Sequence, residues 1–484
     1  MSDVLGVAHR NEVVRTRRGY GLMSLGLLVP GSAQAVAGNN KLGRFALKLW
    51  LIVAPLCLLI LILTLLFRNF MIGLFANGLV LQLLAVCIFA IGVFWALLAV
   101  NTWWISRPDQ MGLKKGMIFT AISLVLTLSL TIGTVWVGTA MWTTGGALSN
   151  IFTGGGNSQT DKGRYNILLL GSDSGPGRWG MRPDSIMLAS VNGNTGRTAL
   201  FSFPRNLEEV PFAEDSPLHA LYPNGYGCDG GECLLNSIYL LGVNNAELYP
   251  GVADPGMQAM IDAITGMTGL PINYYIVINM QGFIDLIDAM GGLTMTIHQR
   301  VPYWDVDNGG PGKWIEAGEN RHLTGYETLW FARSRSQSSD FGRMERQRCV
   351  IAAMAHQLDP TTVATKFFDI ATATSGAAVT SMPPGKIGDF AEIAMKARSL
   401  PILSIAFTPP LIHPGYPDFE LIRSLVEDTI AQSEALDEAA KHPSSAPPST
   451  PPTEPGEEPT NEPSSTPTED GNVTNDLNRI CSVN

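Results

Sequence analysis

Tyr165-Asn-Ile-Leu-Leu-Leu-Gly-Ser-Asp173 is the stretch on which the fold turns. It is short and apolar and stops at Gly171-Ser-Asp, which reads as a strand ending in an acidic turn. Arg182-Pro-Asp184 then stands at the start of a second strand, Ser185–Val191, and Thr198–Phe203, Tyr274–Asn279 and Leu293–Ile297 have the same strand-forming character. Between and after them, Cys233–Gly242, Pro255–Met267, Gly282–Met290, Leu323–Trp330 and Phe341–Leu358 carry helical spacing or good helix formers. Mixed ordering of this kind predicts a sheet covered by helices, an α/β architecture. Residues 361–440 continue with helical segments and a loop, Thr408–Asp418, and are placed in the same domain.

Upstream the composition changes. Asn69–Ser106 and Gly116–Thr160 contain no Asp, Glu, Lys or Arg, and Leu49–Phe67 is a third uncharged run, so membrane spans are expected near 45–67, 79–100 and 117–142. Residues 1–44 carry Arg10, Arg15, Arg17, Arg18, Lys41 and Arg44, and the second loop carries Arg107, Lys114 and Lys115, against Arg68 alone in the first loop. Positive loops stay inside, which makes the N-terminal segment cytoplasmic and exports everything after about residue 145. Arg17-Arg18, Leu22–Val29 and Ala33–Ala37 mimic a cleaved signal peptide, but Pro30 cuts the apolar run short.

The expected organisation is a cytoplasmic segment 1–44, three transmembrane helices within 45–142, a Gly/Ser/Thr/Asn-rich tether 143–162, an extracytoplasmic domain 163–440 and a Pro/Ser/Thr/Glu-rich disordered tail 441–484. The net charge of −10 argues against nucleic acid as a partner. Cys57 and Cys87 fall inside spans. Cys228, Cys233, Cys349 and Cys481 lie in the exported part and permit two disulfides in any of three pairings, with Cys228–Cys233 the cheapest closure and a zinc site the weaker reading.

Two clusters combine acids with arginines. Asp173, Arg182 and Asp184 surround a Gly-rich loop, and two carboxylates with phosphate oxygens make a hard-cation site, usually magnesium. The second cluster runs Arg333-Ser-Arg335, then Asp340-Phe-Gly-Arg343-Met-Glu-Arg346-Gln347-Arg348. Five arginines facing only Asp340 and Glu345 suggest an anionic ligand, since the guanidinium fork grips phosphate oxygens in pairs. The bland readings are that Asp340 caps a helix, Asp173 and Asp184 are turn residues and Arg205 is a loop charge.

Asn166-Ile-Leu-Leu-Leu-Gly-Ser-Asp173, Arg182-x-Asp184, Ser202-Phe-Pro-Arg205, Asp288-Ala-Met-Gly-Gly292, Ala317-Gly318 through Leu323-x-Gly325, and Arg333-Ser-Arg335 through Gln347 together resemble the LytR-CpsA-Psr family over residues 163–360. The resemblance implies a three-layer α-β-α domain with a mixed central sheet, and a bacterial phosphotransferase that moves a glycopolymer from a polyprenyl pyrophosphate carrier in membrane lipid to peptidoglycan. It further implies Mg2+ held by Asp173 and Asp184, and Arg182, Arg205, Arg333, Arg335, Arg343 and Gln347 around the pyrophosphate. The polyprenyl chain would lie in an apolar pocket whose lining could include Met280, Phe283, Ile284 and Met290. Asn206, Pro183 and Arg348 depart from the family pattern. Asp340 or Asp184 is the candidate base for the attacking acceptor hydroxyl, and hydrolysis of the pyrophosphate by water would be a side activity. The rival reading is a non-catalytic polyprenyl-phosphate-binding membrane or regulatory protein.

Overall fold

A computed structural model describes residues 2–37, 40–154, 156, 159–172, 181–303, 313–335, 339–357, 378–441 and 472–481. The chain divides into two compact units, Met1–Ser149 and Asn150–Asn484. The first contains α1 (Ser2–Leu28), α2 (Ser32–Val36), α3 (Asn40–Leu66), α4 (Arg68–Phe75), α5 (Gly78–Ser106) and α6 (Leu113–Ile151, whose last two residues fall in the second unit). Three helices, α3, α5 with its short extension to Gln110, and α6, are long and apolar enough to cross a membrane. The Ala33–Ala37 stretch is part of this unit's packing. Gln34 of α2 is buried and donates from Nε2 to the Leu98 carbonyl at 2.9 Å and to Thr102 Oγ1 at 3.0 Å on α5.

The expected tether starts too early, because α6 stays helical to Ile151. Its Gly and Ser residues serve close helix packing rather than flexibility. A β-carbon on Gly78 would lie 2.2 Å from the Gly145 carbonyl oxygen, so α5 and α6 approach where both lack side chains.

In the second unit the strands are β1 (Arg164–Ser172), β2 (Pro183–Asn192), β3 (Thr198–Phe203), β4 (Tyr274–Asn279), β5 (Leu293–Ile297), β6 (Val301–Tyr303), β7 (Lys313–Ile315), β8 (Gly318–Leu323), β9 (Ala378–Thr380), β10 (Leu403–Ala406) and β11 (Val473–Thr474). The helices are α7 (Pro217–Leu221), α8 (Ile238–Asn244), α9 (Pro255–Thr268), α10 (Met280–Met290), α11 (Gly325–Arg333), α12 (Asp340–Gln357), α13 (Ile387–Ala397), α14 (Phe419–Lys441) and α15 (Leu477–Ile480). Seven strands form a mixed sheet in the order β11-β10-β3-β2-β1-β4-β9. β1, β3, β4 and β10 point the same way, with β2 antiparallel between β1 and β3.

Alternation along each strand supplies apolar side chains to both faces. Leu168, Leu170, Ile186 and Leu188 pack on one side with Met257, Met260 and Ile264 of α9 and Ile422 and Val426 of α14. Leu169, Met187 and Ala189 turn to the other side, where Ile287, Phe331 and Val350 of α10, α11 and α12 gather. The result is the expected α-β-α sandwich. α14 ends at Lys441, and its buried Asp437 accepts from Arg197 Nε at 2.7 Å.

Two expectations need correction. β10 falls where only helices and a loop were read, because all four of its residues are buried and a short apolar strand has no alternation to distinguish it. The expected tail over 441–484 lies for residues 442–471 outside the described residues, but 472–481 fold onto the domain. Val473 and Thr474 pair with β10, and Leu477 and Cys481 enter the core.

Both disulfides form, Cys228–Cys233 and Cys349–Cys481, the second across 132 residues onto α12. Closing so long a loop is worth about 4–5 kcal/mol on the chain-entropy account. Labelling of the denatured, unreduced chain is therefore expected to find two thiols, Cys57 and Cys87. Six reactive thiols would sink both bridges.

Candidate functional site

The parallel strands β1, β3, β4 and β10 end at one edge of the sheet, and β2 begins there. That edge gathers Ser172, Asp184, Arg205 and Asn279, and chemistry carried by strand termini collects there in open α/β sheets. Across from it lie the C-terminal end of α11 and the start of α12. Thr324 caps α11 in a reciprocal box with Glu327, and Gly325 lets the helix sit against α10, where a β-carbon would meet the Ile284 carbonyl at 2.2 Å. Asp288 of α10 completes the junction by accepting from the Gly325 N–H at 2.7 Å. These contacts account for the Asp288 and Leu323-x-Gly325 motifs, and they set where Arg333 emerges.

Asp184 accepts from Arg205 Nη1 at 2.5 Å, and both side chains are about one-third exposed. Asp340, the first residue of α12, bridges two guanidiniums, with Arg335 Nε 3.3 Å from Oδ1 and Arg343 Nη2 3.0 Å from Oδ2. Arg343 Nη2 also reaches the Asp184 carbonyl at 3.3 Å, so one buried side chain joins the two clusters. Burial lowers the Arg343 pKa, and the Asp340 carboxylate opposes that shift. The cap of α12 is Ser339, whose Oγ accepts from the Gly342 N–H at 3.3 Å, so Asp340 is left for the arginines.

The five arginines of the second cluster separate. Arg333, Arg335 and Arg343 line the cavity described below. Arg346 turns back to the carbonyls of Phe331 (2.7 Å) and Ser334, and Arg348 is buried on another side of α12, donating to Ser404 Oγ of β10 at 3.3 Å. These last two hold α12 in place. Gln347, one turn after Arg343, faces the cavity and donates to the Ala332 carbonyl at 3.3 Å. Arg182 precedes β2, is exposed and does not line the cavity. Asp173 lies outside the described residues.

Beneath the arginines a cavity of about 770 Å³ runs between the sheet and the α10–α11–α12 layer. Leu169, Met187, Ile276 and Ile278 form its sheet wall, and Phe283, Leu286, Leu329, Ile351 and Met354 its helical wall. Of the four lining residues anticipated, Met280 and Phe283 are present, whereas Ile284 and Met290 are not. Ile276 and Ile278 of β4, half-buried, face this space. The volume falls within the usual range for ligand pockets, about 300–1,000 Å³.

Among the described residues no three His, Cys, Asp or Glu side chains converge as a metal cage. Magnesium, however, commonly takes one or two carboxylates and completes its shell with water and substrate phosphate. Asp184 fits that role, since Oδ2 has no hydrogen-bond partner among the described residues.

A model of the LytR_cpsA_psr family matches residues 148–408. The polyisoprenyl-teichoic acid–peptidoglycan teichoic acid transferase TagU of Oceanobacillus iheyensis is 32% identical over 200 residues, 41% of this chain and 52% of that one. Biofilm regulatory protein A of Streptococcus mutans is 28% identical over 206 residues, covering 41% and 45%. The chain spans about half the length of these curated relatives. Among solved structures, B. subtilis TagV aligns over 56% of this chain and 99% of its own at 21% identity and TM-score 0.41. TagT bound to LI-WTA aligns over 59% and 99% at 17% identity and TM-score 0.39.

Proposed function

The chain belongs to the LytR_cpsA_psr family, and on that premise we propose that it transfers a glycopolymer from a polyprenyl pyrophosphate to peptidoglycan. The observation that carries the reading is the union of an apolar cavity with an arginine-lined mouth. Such a site suits an amphipathic ligand with a long hydrocarbon tail and an anionic head. The name of the Oceanobacillus relative, a polyisoprenyl-teichoic acid–peptidoglycan transferase, supports it.

In this reading Arg205, Arg333, Arg335 and Arg343 grip the diphosphate oxygens, and Gln347 holds its edge. An acceptor hydroxyl attacks the phosphorus bearing the sugar, the bond to the distal phosphate breaks, and polyprenyl phosphate leaves. Charge gathers on the equatorial and leaving oxygens, so fixed guanidiniums favour the transition state over the bound substrate. Asp184, with Asp173, would hold magnesium, which supplies charge neutralisation for the leaving phosphate. Asp340, with an arginine on each oxygen, orients the cluster. Arg182 would close on the head group from outside the cavity.

Three apolar helices keep such an enzyme at the membrane where its donor resides. The arginine and lysine distribution and the two disulfides favour an extracytoplasmic domain.

The test is release of polyprenyl phosphate from a synthetic lipid-linked glycan, with mass spectrometry of lipid retained by the purified chain. Ile351→Trp, which projects into the cavity, is expected to reduce retained lipid several-fold without unfolding the domain. Turnover on a head group lacking the polyprenyl tail at the full rate would overturn the cavity assignment. Lipid binding without turnover would favour a regulatory protein.

A further inference from the structure

Beside the arginine-lined mouth lies an aromatic pair that the transfer chemistry does not use. β3 and β10 are parallel neighbours, with Ala406 opposite Ser202, so the segments following them leave the sheet side by side. Backbone bonds hold them together. The Phe407 N–H donates to the Ser202 carbonyl and the Glu208 N–H to the Pro414 carbonyl, each at 3.0 Å.

On the second segment the rings of His413 and Tyr416 stack, with centroids 3.9 Å apart and 5° between planes. The Tyr416 N–H donates to the His413 carbonyl at 3.2 Å, which fixes the pair in a tight turn. Tyr416 is nevertheless 72% exposed, more than any other large apolar side chain described after residue 150. Its stacking partner covers one face and the other is open. Glu208 Oε1 and His413 Nδ1 lie 3.9 and 3.8 Å from where a β-carbon on Gly415 would sit, so a carboxylate and an imidazole flank the same small surface.

A rigid open ring beside hydrogen-bonding groups is what a sugar ring needs, because its C–H face packs on the aromatic plane and its hydroxyl and amide groups bond at the rim. Glu208 lies three positions after Arg205, at most about 10 Å of extended chain, so the surface is near the mouth, and none of its three residues lines the cavity. We propose that Tyr416, His413 and Glu208 form a saccharide-docking platform for acceptor glycan units neighbouring the one that reacts. The proposal rests on the transferase reading and adds to it a preference for polymeric acceptors.

The experiment uses the full chain in detergent, a lipid-linked donor and two acceptor probes, a soluble uncross-linked peptidoglycan glycan chain and its disaccharide unit. Tyr416→Ala is expected to raise KM for the glycan chain about tenfold, the scale of losing one well-packed aromatic anchor. KM for the disaccharide should move little, and Tyr416→Trp should restore glycan-chain binding. An unchanged KM for the long acceptor in Tyr416→Ala overturns the platform. If the unmodified chain transfers to neither acceptor, the transferase reading fails instead. Calorimetric titration with the same glycan chain then decides the platform: binding that weakens in Tyr416→Ala supports it, and no binding by the unmodified chain refutes it.

Discussion

Asp184→Asn is expected to slow release of polyprenyl phosphate by about 10²- to 10³-fold, the usual cost of losing one transition-state charge contact. The substitution is conservative in shape. Asn keeps an acceptor oxygen where Oδ1 meets Arg205 at 2.5 Å, but it loses the charge that would balance a divalent cation. Stability should hardly respond, because partly exposed ion pairs of this kind are worth about 0–1 kcal/mol and a change of that size moves the melting temperature by only a few degrees. The two readouts therefore separate chemistry from folding. Initial rates would be followed against magnesium concentration, with thermal melting in parallel. A variant that keeps a near-normal rate and its magnesium stimulation shows that the cation sits elsewhere; one that melts far below the parent shows a structural role for Asp184.

Much of the site was legible because its residues terminate regular elements. A strand that stops at Gly171-Ser172 and another that begins at Pro183 place polar groups at one sheet edge, and alternation of Leu168 with Leu169 and of Ile186 with Met187 foretells apolar layers on both faces. What escaped did so for physical reasons. Successive residues advance about 100° around a helix, so Arg343 and Gln347 share a face while Arg346 and Arg348 point elsewhere, and a run of like charges cannot all meet one ligand. The cavity wall is written in the same residue types as the core. Which of them face open space depends on how the helices sit over the sheet, a property of the folded chain. The folded end, 472–481, follows a Pro/Ser/Thr/Glu-rich stretch and contributes a two-residue strand, too short for any periodic signal. Cys481 was its one advance sign, and the partner Cys349 could not be chosen from spacing alone.

Arg343→Ala is expected to have the largest effect of any single arginine replacement, lowering turnover by at least about 10²-fold and weakening retention of the lipid diphosphate. Arg335 is half-exposed and, among the described residues, is tied to Asp340 alone, so its loss leaves the rest of the cluster in place. Arg343 is buried and spans Asp340 and the carbonyl of Asp184, so its loss releases both ends of the constellation at once. Asp340 keeps Arg335, which limits the penalty of a stranded carboxylate, but the side chain's packing also disappears. A loss of roughly 1–3 kcal/mol of stability is therefore expected alongside the catalytic defect. Arg343→Lys tests the geometry. Lysine preserves a positive charge but presents a point ammonium in place of a planar fork, so it cannot reproduce both contacts and should recover only a small part of the rate. Rates, lipid retention and melting temperature measured on Arg343→Ala, Arg343→Lys and Arg335→Ala would decide the matter. Full activity in Arg343→Lys would reduce this residue to a bulk charge, and a deeper loss in Arg335→Ala than in Arg343→Ala would move the centre of the anion site to the end of α11.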